Sequence, residues 1–293
     1  MRSSNPVFSR RGFSRDNGYA GFNAAPQAGG PAVGTQGNPY AQQGGNPYAQ
    51  NPYAQQGLQH GAPPQAPVTT GRMTMDDVVV RSAMTLGTVV VGAVLAWTLL
   101  PVSSTSYNLA IGSGLIAMVL ALVQSFKRTA TPALIIAYAA FEGIFLGVIS
   151  EMYNAVWHGA PFQAVLGTMA VAGATLLVYK AGWIRVTARY ARIGITIAIA
   201  FVAVMAVNLL LVVFGVAPDG GLRSSGPLGA IVGILAILIG AFFLTLDFKQ
   251  IEDGITYGAP KEEAWLAAFG LTMTLVWIYV EMLRLVAIFS GRD

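Results

Sequence analysis

Cysteine is absent from the 293-residue chain, and histidine occurs only twice, at His60 and His158. The first absence excludes disulfides and thiolate metal sites, and two dispersed imidazoles are too few for a histidine metal cluster. Charge is scarce as well: Asp, Glu, Lys and Arg together make up 10% of the residues, against 54% hydrophobic. A soluble domain carries about 25% charged residues, so a chain this poor in charge, with a mean hydropathy of +0.58, belongs in lipid. There is no G-x-x-x-x-G-K-[ST] phosphate loop and no H-E-x-x-H, which removes the residues of an ATP-driven pump and of a zinc protease. A serine protease within the membrane would need a histidine in an apolar run, and neither lies in one. The net charge of +4 comes from basic residues placed between apolar runs, a pattern of membrane sidedness and not of a nucleic-acid groove. The reading is a non-enzyme without a cofactor, whose first partner is the lipid bilayer and which has no nucleic-acid partner.

What is present divides in two. Residues 1–72 are rich in Gly, Gln, Asn, Pro and Ala, with NPYAQ recurring at Asn38, Asn46 and Asn51. This composition cannot bury enough apolar surface to fold alone and predicts a disordered tail, either a tolerated extension or a docking segment using its tyrosines. The cluster Arg10, Arg11 and Arg15 is followed by Gly and Asn, not by an apolar core, so no signal peptide is read and the tail is expected in the cytoplasm. Residues 73–293 form the second region, an expected all-α transmembrane bundle. Seven apolar runs, near 79–100, 107–126, 132–152, 162–181, 193–216, 228–248 and 266–289, each approach the ~20 residues that cross a bilayer. Arg72, Arg81, Lys127, Arg128, Lys180, Arg185, Arg189, Arg192, Lys249 and Lys261 fall on one side of such a bundle, and little beyond Arg223 and Arg292 on the other. That asymmetry predicts a cytoplasmic N-terminus, an external C-terminus and, with no signal peptide, a multi-pass protein of a bacterial plasma membrane. Gly143 with Gly147, and Gly229 with Gly233, are GxxxG pairs that place the third and sixth spans in the interior.

Against this apolar background the acids stand out. Asp247 in LTLDFKQIEDG and Glu281 in WIYVEMLRL lie in the last two runs, and Glu142 lies in AYAAFEGIFLG of the third. An acid inside a span is costly unless it pairs, faces a wet cavity or does work. Asp247, near a span end with Lys249 close by, could simply reach the headgroups; Glu281 could form an ion pair with Arg284 at i+3. Glu142, beside the Gly143 and Gly147 face, either lines the same polar cavity or hydrogen-bonds a neighbouring helix in its protonated form. Paired carboxylates also serve aspartyl intramembrane proteases, but no glycine-framed aspartate is present in the seventh run.

The stretch LTLDFKQIEDG, followed by a helix containing WIYVEMLRLVAIF, together with EGIFLG in the third span, resembles the Bax inhibitor-1-like, or transmembrane BAX inhibitor motif, family, bacterial type. The resemblance covers about residues 75–293 and leaves the tail without a counterpart. It implies a pH-sensitive calcium leak channel, with Asp247 at the aspartate of an LYD-like motif and Glu281 at the acid of a YLD-like motif, both as pH sensor and as transient Ca²⁺ contacts. The seventh-span acid here is Glu, and the two acids stand 34 positions apart, more than in short-loop members. A basic latch that some members place near the end of helix two maps onto Lys127 or Arg128. The implied mechanism is a carboxylate pair holding one shared proton, because two such groups in a low-dielectric site cannot both ionise cheaply. Losing the proton would drive helices six and seven apart and leave an oxygen-rich site suited to Ca²⁺. The alternative is a membrane scaffold or modulator of a membrane-quality-control protease, with no transport activity.

Overall fold

The structure, a computed structural model, describes residues 71–127, 129–217 and 220–291. The expectations for residues 1–70, including the NPYAQ repeats, and those for Arg128 and Arg292 lie outside the described residues. Among the described residues seven helices are each long and apolar enough to span a membrane: α1 Met75–Leu99, α2 Ser104–Phe126, α3 Pro132–Val156, α4 Ala160–Lys180, α5 Ala188–Val213, α6 Pro227–Thr256 and α7 Glu263–Ser290. The chain is an all-α multi-pass membrane bundle.

The helix starts follow local chemistry. Thr74 and Asp77 form a reciprocal capping box on α1, Ser103 and Thr187 cap α2 and α5 through their hydroxyls, and prolines open α3, α4 and α6, where their missing N–H costs nothing. Short connections make successive helices antiparallel. One end of the bundle, here called the basic end, therefore gathers the start of α1 and the loops after α2, α4 and α6. The far end holds the loops after α1, α3 and α5, the last of which contains a single 3-10 turn, Gly221–Arg223.

Helix α7 runs through the middle, packing on α1, α3, α4 and α6. On α3, a Cβ at Gly143 or Gly147 would collide with the Val89 or Ala93 carbonyl of α1, so this GxxxG is a close backbone crossing of the expected kind. The α6 pair works differently. Gly229 is pressed against the Ser224 carbonyl of the preceding loop, and Gly233 lies under the Arg284 guanidinium. Its glycines make room for a loop and a charged side chain, not for a second backbone.

Helix α5 stands at the edge, against α6 and the 221–223 turn. It is held by a Phe242 ring that fills the space left by Gly194 and by a Tyr190–Thr245 hydroxyl contact of 3.1 Å. Helices α2 and α5 are not neighbours, which leaves a lateral cleft between them.

At the basic end the segment entering α1 is fastened to the loop between α6 and α7. Arg72 forms an isolated antiparallel bridge with Pro260; Met73 N–H donates to the Ala259 carbonyl at 2.8 Å, and Lys261 N–H to the Gly71 carbonyl at 2.8 Å. Asp77 pairs with Lys261 at 3.1 Å, and Arg81 donates to the Lys261 carbonyl at 2.9 Å while its guanidinium lies 5.7 Å from the Trp265 ring centroid. Gly71 and Arg72, read from sequence as the end of the tail, are thus part of this clasp.

Candidate functional site

Helix α7 carries the polar features of the interior along one face. Thr274 and Glu281 are seven residues apart, two helical turns, which puts them on nearly the same side of the helix at depths differing by about 10 Å. Asp247 of α6 meets the lower of these levels. Its Oδ2 lies 2.8 Å from the Thr274 hydroxyl, and its Oδ1 sits against Gly270, where an added Cβ would come within 3.2 Å. The Thr274 hydroxyl is also 3.0 Å from the Gly270 carbonyl. A hydroxyl has one proton to donate, so this triplet accepts either state of the acid. An ionised Asp247 accepts from Thr274, whereas a protonated one donates to Thr274, which then donates to Gly270. No ion pair reaches Asp247 among the described residues.

Glu281, two turns further along, is surrounded by positive charge. Its Oε1 is 2.8 Å from Arg223 Nη2, and its Oε2 accepts from Arg284 Nη2 at 3.1 Å and from Arg284 Nε at 3.2 Å. The Glu281 side chain is 8% exposed, and those of Arg284 and Arg223 are 11% and 34% exposed. Arg223 arrives from the loop after α5, and its own carbonyl lies 3.5 Å from Arg284 Nη1. The arrangement is an Arg–Glu–Arg cluster that ties the far-end loop onto α7, with the Gly233 gap in α6 holding the second guanidinium.

The expected pairing of Asp247 with Glu281 is therefore not made. Each acid has its own partners at its own depth, and a single shared proton has no geometric basis in this arrangement. The Arg284 ion pair foreseen at i+3 is present, joined by Arg223 from outside the helix. Lys127 is exposed at the end of α2, and no ion pair joins it to Asp247; Arg128 lies outside the described residues. Glu142 makes no ion pair or hydrogen bond among the described residues. It lines a cavity of ≈ 680 Å³ together with Glu281 and Arg223 at its far-end limit.

Two participants escaped sequence reasoning. Arg223 was visible as an isolated basic residue on the side otherwise poor in Lys and Arg, but nothing in a loop sequence says that it folds back onto a helix. Thr274 was one hydroxyl among several; its signal is the Gly270–Thr274 spacing, a gap and a donor one turn apart. Among the described residues there is no group of three or more His, Cys, Asp or Glu side chains able to hold a metal ion.

A family model described as Bax inhibitor 1 like matches residues 5–291. The match reaches well beyond the 75–293 region that carries the motifs and takes in most of the N-terminal segment, which the motifs alone left without a counterpart. No curated protein matches the chain.

Proposed function

The chain belongs to the Bax inhibitor 1 like family, a family of non-catalytic membrane proteins, and on that premise we propose that it is a pH-sensitive calcium leak path whose acids act in series. The observation that carries this reading is the contrast along α7: Asp247 meets only a neutral hydroxyl, while Glu281, on the same face, is held by two arginines. An unpaired intramembrane acid is a functional candidate by default. Protonated, Asp247 offers a cation no charge. Ionised, it presents anionic oxygens to a hard cation entering from the basic end. The arginines at Glu281 close the far end by repelling cations, so passage requires Arg223, the more exposed of the two, to swing away with its loop. Acid should therefore close the path and alkali open it. Under this reading the basic end faces the cytoplasm, in a bacterial plasma membrane.

The test is Ca²⁺ flux into vesicles containing the purified protein alone. Flux that rises with pH in wild type and loses its pH dependence in Asp247→Asn supports the proposal. Wild-type vesicles that carry no flux at any pH would overturn it and leave the scaffold or protease-modulator reading, which needs a partner absent from such vesicles.

A further inference from the structure

The cleft between α2 and α5 reaches the Glu281–Arg223 pair at one end, but its centre is built from other residues. Its floor is α3 and α7, and its mouth faces the position of the bilayer because α2 and α5 do not meet. Tyr138, Glu142 and Phe145 project from α3 at i, i+4 and i+7, one face of a helix, and all three line the cleft. Trp277 of α7 and Phe201 of α5 form the opposite wall, with ring centroids 6.5 Å apart. Met118, Met205 and Met273 line it as well, and Arg223 with Glu281 closes one end. Among the described residues Glu142 has neither a salt-bridge partner nor a hydrogen bond, whereas Asp247 and Glu281 each have at least one partner. An acid at the floor of a lipid-facing cleft is either protonated or balanced by a positive group, and a cationic ligand supplies the second.

Which cation fits is decided by the walls. A hard ion such as Ca²⁺ requires six to eight oxygens; the Glu281 carboxylate that also lines the cleft is already paired with Arg223 at 2.8 Å, which leaves Glu142 as the carboxylate without a counter-ion, among aromatic faces and thioethers. Aromatic faces combined with one negative charge are the recognition chemistry of alkylated ammonium groups, and thioethers adapt to a flexible alkyl chain. We propose that this cleft is a binding site for an amphiphilic alkylammonium, its head at Glu142 among Tyr138, Phe145 and Trp277, its chain passing Met118 toward the bilayer. The ligand enters laterally from the membrane and leaves Glu281 to its arginines. The site stands whether or not the protein conducts calcium.

The experiment is equilibrium binding of radiolabelled dodecyltrimethylammonium, and separately of dodecylammonium, to the full chain in uncharged maltoside micelles. The expected result is saturable binding of one or both probes, displaced by unlabelled probe but not by dodecanol, which has the same chain without the charge. Glu142→Gln should weaken it about tenfold, the loss of one favourable charge contact. Met118→Trp, which narrows the mouth and leaves the carboxylate in place, should also weaken it; this second variant keeps the test open if Glu142→Gln does not fold. Equal displacement by dodecanol, or unchanged affinity in both variants, would reduce the cleft to an apolar gap filled by lipid and overturn the proposal.

Discussion

The Glu281 carboxylate has a guanidinium on each oxygen, and replacing it by Gln leaves Arg284 buried without a counter-ion. Breaking a buried pair from one side costs on the order of 3–5 kcal/mol, because the remaining charge stays desolvated. Arg223→Gln removes a half-exposed partner and leaves the Glu281–Arg284 pair intact, so its cost should be about 1 kcal/mol or less. Thermal unfolding in micelles should rank the two variants in that order, and equal losses would mean that Arg223 carries more of the cluster than its exposure implies. Asp247→Asn behaves differently, since it has only a hydroxyl to satisfy and Asn can still accept from Thr274. It should leave stability nearly unchanged and flatten the pH response of any flux. The two acids share no partner and stand about 10 Å apart in depth. Effects of Asp247→Asn and Glu281→Gln on stability should therefore add within ~0.5 kcal/mol in a double-mutant cycle, whereas a shared proton would make them strongly non-additive.

At the scale of helices, the bundle was legible because twenty-residue apolar runs separated by Pro, Gly and charge have few other structures open to them. The boundary that misled was that of α6. The apolar run stops at Phe248, but the helix continues to Thr256, sustained by Lys249 pairing with Glu252 at 3.4 Å and with Asp253 at 2.9 Å, and by a Tyr179 hydroxyl donating to Glu252. That extension takes up residues 249–256 of the interval between Asp247 and Glu281, and most of the rest lies within α7. The candidate acids could be read from sequence because a charge in an apolar run is conspicuous; their partners could not, since Thr274 and Arg223 become distinctive only through a contact made across helices. Glycines show the same division. Gly147 crosses the α1 backbone, so Gly147→Leu should prevent α1–α3 packing and abolish a cooperative transition. Gly87 and Gly112 have open space where a Cβ would stand, so Ala there should be neutral or mildly stabilising. If Gly147→Leu unfolds like wild type, the α1–α3 crossing is looser than described.

For the whole molecule, sidedness follows from where the basic residues collect. Accessibility reporters in the 181–187 loop and in the 214–226 loop should label from opposite sides of the membrane, the first from the cytoplasm. Labelling from one side would require one helix to re-enter instead of crossing. Deleting residues 1–70 should leave insertion and unfolding unchanged, because the clasp described above is built by Gly71 and residues after it. Loss of folding on that deletion would give the N-terminal segment a structural role.

The clasp at the basic end has a consequence for biosynthesis. Arg81 finds the Lys261 carbonyl 180 positions later, and Thr85 meets Thr272 at 3.1 Å across 187 positions. Helix α1 therefore waits for α6 and α7 before its polar groups find their partners, and contacts so distant in sequence form late. Until α7 is inserted, Asp77, Arg81 and Thr85 remain as an unfinished polar edge. A chain that stops short of α7 is thereby marked at the basic end, where the clasp closes only once the loop between α6 and α7 is in place.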